Sequence, residues 1–66
     1  MAFDELSILR QICGYLHACG MEVSHTEIKS TARRYMKVNN VDYKEALLDL
    51  LDDAYKRYRK HNKKRS

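Results

Sequence analysis

The chain has 66 residues, 33% of them charged and 44% in the AVILMFWYC set, with a net charge of +4 at neutral pH. That length admits one domain with a modest core, and the balance of charge and apolar residues excludes a disordered polyelectrolyte. With no Pro and only two Gly, the chain has little turn chemistry for a sheet, so composition points to an all-α protein.

No apolar run approaches the ~18–20 residues needed to cross a bilayer. The opening Met1-Ala2-Phe3-Asp4-Glu5 lacks the basic start and apolar stretch of a secretory leader. The expectation is a cytoplasmic chain with no membrane partner. Cys13 and Cys19 are the two cysteines, six positions apart. Six helical residues rise about 9 Å, beyond the Cα reach of a disulfide, so both are expected to be reduced, packed thiols.

A helix start signal occurs three times along the chain. An apolar residue precedes a capping residue, and another apolar residue follows four positions after the cap. The three sets are Phe3-Asp4 with Ile8, Val23-Ser24 with Ile28, and Val41-Asp42 with Ala46. Asp and Ser accept hydrogen bonds from free N–H groups of the first turn, and the apolar pair forms a staple. Glu27 and Glu45 stand three residues past the second and third caps, which gives Ser24 the form of a capping box. Gly20 and the Asn39-Asn40 pair are the matching stops. These signals predict a small three-helix domain over 1–66, with helices near 4–19, 24–39 and 42–61 and a frayed basic tail over 62–66.

Each predicted helix has an apolar face. In the first, Leu6, Leu9, Ile12, Cys13, Leu16 and Cys19 follow the 3–4 spacing, and Ile8 and Tyr15 widen the stripe. Gly14 interrupts this helix, either to admit a close neighbour or as a tolerated defect. The second face is narrow: Ile28, Ala32, Tyr35 and Met36. The third carries Ala46, Leu47, Leu50, Leu51, Ala54 and Tyr58, with Leu48 and Tyr55 on a shoulder. The first and third helices are apolar over more of their circumference than one thin helix covers. A homodimer is therefore expected to complete the core. Ile8, Ile12, Tyr15, Leu48, Leu51, Tyr55 and Tyr58 are the candidate residues of that dimer or of another protein interface.

Chemistry-bearing clusters are few. Cys13 and His17 lie four apart on one face, a workable pair for zinc, but Cys19 diverges from them and His25 would have to reach back from the next helix. No metal and no cofactor are expected. Asp49, Asp52 and Asp53 read as a solvated face, with Lys56 and Arg57 four residues after Asp52 and Asp53. No Gly-rich phosphate loop or nucleophile elbow is present, and catalysis is not expected.

The placement of charge is more informative. Seven of the thirteen Lys and Arg lie between Lys56 and Arg65, and no acid follows Asp53. Lys56, Arg57, Arg59, Lys60, Lys63, Lys64 and Arg65, with Lys29, Arg33, Arg34 and Lys37 on the second helix, are the candidate nucleic-acid contacts. Tyr55 and Tyr58 interleave them. A helix opening with Asp42, Glu45 and Asp49 would be repelled by a major groove, so the usual helix-turn-helix docking is excluded. The expected function is a small helical regulator that binds nucleic-acid phosphates through the second and third helices. The alternative is an adaptor or inhibitor that docks a protein on the exposed apolar surface of the first and third.

Overall fold

The computed structural model describes residues 3–65, with side chains through Asn62. The chain folds into three helices with no strand among the described residues: α1 (Glu5–Ala18), α2 (His25–Asn39) and α3 (Tyr43–Arg65). All three caps act as their residue types dictate. Asp4 Oδ1 accepts the Ser7 N–H at 3.2 Å, and Asp42 Oδ1 accepts that of Glu45 at 2.8 Å. Ser24 and Glu27 form the full reciprocal capping box.

The stops are equally specific. Gly20 sits at φ 84°, and the Gly20 and Met21 N–H groups return to the His17 and Leu16 carbonyls, which completes a Schellman motif. Asn40 takes the left-handed conformation at φ 53°, and Val41 N–H closes on Met36 O. A short polar side chain makes that conformation tolerable for a residue other than glycine. At the third end α3 runs four residues past the expected 61, to Arg65. Neither Gly nor Pro interrupts 59–65, and the basic residues there suit the negative end of the helix dipole.

Buried residues come from one stripe of each helix: Leu9 and Ile12 of α1, Ile28 and Ala32 of α2, and Ala46, Leu47 and Ala54 of α3. Four of these seven are large, and the three alanines let the helix axes approach closely. The α1–α3 interface is the most extensive and α1–α2 the least. Tyr43 at the start of α3 bonds Glu5 at the start of α1, while Tyr15 meets Tyr55 and Tyr58 farther along both helices. The two helices therefore run in the same direction. Tyr35, late in α2, bonds Asp49, early in α3, so α2 returns between them in the opposite sense.

This arrangement corrects one detail of the apolar faces and decides another. Leu6, expected in the α1 stripe, is 51% exposed. On α1, Tyr15 packs against Tyr55 and Tyr58 of α3 and Ile8 against the core, while Leu6 points away from that packing. Gly14 approaches nothing: an added Cβ there would meet no atom within 4 Å. It is a tolerated defect in the helix.

Candidate interaction surfaces

The third helix sets the geometry of the molecular surface. It has 23 residues against 14 in α1 and 15 in α2. At 1.5 Å per residue it is roughly 34 Å long, close to the 37 Å long axis of the molecule. Ala54 is buried and Tyr58 half-buried, and every described side chain from Arg59 to Asn62 is exposed. The C-terminal turns of α3 thus extend beyond the packed body.

The cations on this end differ in their surroundings. Lys56 Nζ lies 3.1 Å from Asp52 and Arg57 Nε 3.0 Å from Asp53, both pairs largely solvent-exposed. Ion pairs of that kind contribute about 0–1 kcal/mol and exchange readily for a phosphate. Arg59 lies over the Tyr55 ring, 5.8 Å from its centroid, and Lys60 faces solvent. The side chains of Lys63, Lys64 and Arg65 lie outside the described residues.

The basic residues of α2 are spread along the helix, from Lys29, next to Ile28 at the level of Ala54 and Arg57 of α3, to Lys37 near the other end. Arg33, Arg34 and Lys37 are exposed and Lys29 is half-buried. Arg33 lies near enough to Tyr43 for its charge to act on that phenol. Tyr43 precedes Lys56 by thirteen residues, about 20 Å along a helix. The structure therefore does not bring Arg33 to the basic end of α3.

The α1/α3 face opposite α2 is apolar and aromatic. Tyr15 packs edge-on to Tyr55 at 5.4 Å between centroids and against Tyr58 at 5.2 Å. Beside them Gln11, Tyr15, Leu48, Leu51, Asp52 and Tyr55 line a shallow open groove. Leu48 and Tyr55 are each 42% exposed. Ile8, Tyr15, Leu51 and Tyr58 are half-buried along the same face. Ile12 differs from the other expected interface residues: at 2% exposure it belongs to the internal core, clustered with Leu9, Ile28 and Leu47.

Two features lay beyond sequence reading. Tyr35 donates to Asp49 at 2.9 Å and Tyr43 donates to Glu5, tying α2 and α1 to the acidic half of α3. Asp49 is thereby more than a solvated charge. A cleft of about 210 Å³ also opens where the α1–α2 connection crosses α3, floored by Ile12, Ile28 and Ala54 and rimmed by Met21, Glu27 and Arg57. Apolar Met21 and Val23 in the connection were its only trace in the sequence.

No family model, curated protein or solved structure matches the chain. Function must be read from these surfaces.

The cysteine–histidine pair is accounted for by local packing. Cys13 Sγ is 3.4 Å from His17 Nε2, and both face the Val23 carbonyl, at 3.5 and 3.3 Å. These contacts hold the α1–α2 connection against the end of α1. Among the described residues no three His, Cys, Asp or Glu side chains gather closely enough to hold a metal. Among the described residues no helix is long and apolar enough to cross a membrane.

Proposed function

We propose that this chain is a non-enzymatic binding module whose projecting α3 end engages the phosphate backbone of nucleic acid. One observation carries the reading: Lys56, Arg57, Arg59 and Lys60 are all exposed on the C-terminal turns of α3, which extend past the body from Arg59 on, with no acid after Asp53. Cations on a projecting helix can approach a duplex without the acidic half of the molecule following. The neighbouring Tyr55 adds an exposed ring beside Arg59. Contacts of this kind recognise charge and shape, so weak sequence preference is expected.

Phosphate binding through about four cations releases a similar number of counterions, which costs on the order of 100-fold in affinity between 50 and 200 mM salt. Fluorescence anisotropy on a short labelled duplex measures this. Replacing Lys56, Arg57, Arg59 and Lys60 with Gln is expected to abolish binding while circular dichroism shows unchanged helicity. Undiminished binding by that variant refutes the reading.

The exposed Leu48–Tyr55 surface favours a second reading, docking of a protein partner on the α1/α3 face. Apolar contacts are not screened, so such a complex survives high salt whereas a phosphate complex does not.

A further inference from the structure

Three donor atoms of different elements converge where the α1–α2 connection folds back against α1. Cys13 Sγ, His17 Nε2 and the Val23 carbonyl oxygen form a triangle. Its sides are 3.4 Å from sulfur to nitrogen, 3.5 Å from sulfur to oxygen and 3.3 Å from nitrogen to oxygen. Hydrogen bonding accounts for only part of it. The thiol has one proton to give and Nε2 at most one, so two of the three contacts are hydrogen bonds at a time. With both protons directed to the carbonyl, sulfur and nitrogen face each other with no proton between them.

A tetrahedral metal ion satisfies all three donors together. With zinc–sulfur near 2.3 Å and zinc–nitrogen and zinc–oxygen near 2.0–2.2 Å, its ligand atoms stand about 3.3–3.6 Å apart. Sulfur–oxygen is then the longest edge and nitrogen–oxygen the shortest, the order found here. The donors are held in place without the ion. Cys13 and His17, four residues apart, share one face of α1. Val23 packs against the core and precedes the capping box at Ser24. Cys13 is half-buried and His17 exposed, so water has access to a fourth position. Among the described residues no three side-chain donors gather. The third donor is a main-chain carbonyl, which no pattern of residue types displays.

We propose that Cys13, His17 and the Val23 carbonyl form a zinc site, with water as the fourth ligand. Thiolate and imidazole together favour a borderline-soft ion over magnesium or calcium. On binding, the thiol releases its proton to solvent, and the imidazole ligates through Nε2 with its hydrogen on Nδ1. The ion then ties the α1–α2 connection to α1 in place of the weaker contacts. None of the α3 cations takes part, so the site stands or falls apart from phosphate binding.

The test uses the full chain, reduced, purified without a histidine tag and freed of metal. Calorimetric titration with Zn2+ is expected to find a single ion per chain, and the bound ion is expected to raise Tm. Co2+ as a spectroscopic stand-in is expected to give thiolate-to-cobalt absorption in the near ultraviolet and the intense visible bands of a tetrahedral ion. Cys13→Ser is expected to abolish the ultraviolet band. His17→Ala, at an exposed position, is expected to weaken zinc binding at least tenfold with helicity unchanged. Cys19→Ser and His25→Ala are expected to bind as wild type does, since neither residue joins the triangle. A wild-type chain that takes up no zinc from a tenfold excess, or an affinity unmoved by His17→Ala, overturns the proposal. So does an equal loss on Cys19→Ser or His25→Ala, which would place the ion elsewhere.

Discussion

Gly14 stands at the centre of α1, on its exposed side, where a methyl group would meet only solvent. Glycine there lowers helix propensity and gives the unfolded chain extra freedom, with no contact in return. Gly14→Ala is expected to raise stability by about 1 kcal/mol. In a domain of this size that is a rise of roughly 4–8 °C in Tm. A scan showing no rise would mean that the glycine serves an interaction absent from the isolated fold. Tyr43 makes the opposite kind of contribution. Burial, then its hydrogen bond to Glu5, pushes its phenol up from the ordinary 10.0 to about 12, although nearby Arg33 pulls the other way. The fold thus favours the protonated phenol. Its contribution is complete below pH 10 and is lost as pH rises from 10 through about 12. Replacing Tyr43 with Phe removes this dependence. Urea titrations should therefore find the variant less stable than wild type at pH 8, with the gap narrowing by pH 11. A constant gap would refute the assignment.

Among the elements, α2 is the weakest. Its buried residues are Ile28 and Ala32 alone, and it leaves Val38 76% exposed. An amphipathic helix with so narrow a face depends more on its ends, since packing supplies less of its stability. Its capping box and the left-handed Asn40 are both formed. Ser24→Ala is expected to cost about 1 kcal/mol. Amide exchange should quicken first in the opening turn of α2, not in α1 or α3. Uniform quickening would mean that α2 does not open by itself. The start and stop of each helix were legible in the sequence because caps are local: they need only the side chain and the backbone within four residues. The extent of α3 was less legible. No breaker marks its end, and a gradient of charge reads equally as a tail or as a helix terminus.

At the scale of the molecule, a long α3 serves two surfaces. Its first half packs with α1 and α2 and carries the acidic residues tied by Tyr35 and Tyr43. Its second half carries the cations and leaves the body after Tyr58. The proposed phosphate contacts and the exposed Leu48–Tyr55 surface adjoin at Tyr55, over which Arg59 lies. Salt acts on the two readings differently: it screens phosphate contacts throughout and leaves apolar docking on the α1/α3 face unscreened.

Local patterning by itself determined that this chain makes three helices, where each begins, and most of the residues that turn inward. Those properties follow from capping chemistry and from 3.6-residue periodicity, both readable within a few turns. Only the tertiary structure decided which shoulders stay uncovered. That choice depends on how α1 leans on α3: it sent Ile12 to the core and Leu6 to solvent, and it left Leu48 and Tyr55 exposed. The tyrosine–carboxylate bonds and the separation of Arg33 from the basic end of α3 were likewise decided by packing. Each relates residues distant in sequence, and helical periodicity says nothing about which face of one helix meets which face of another.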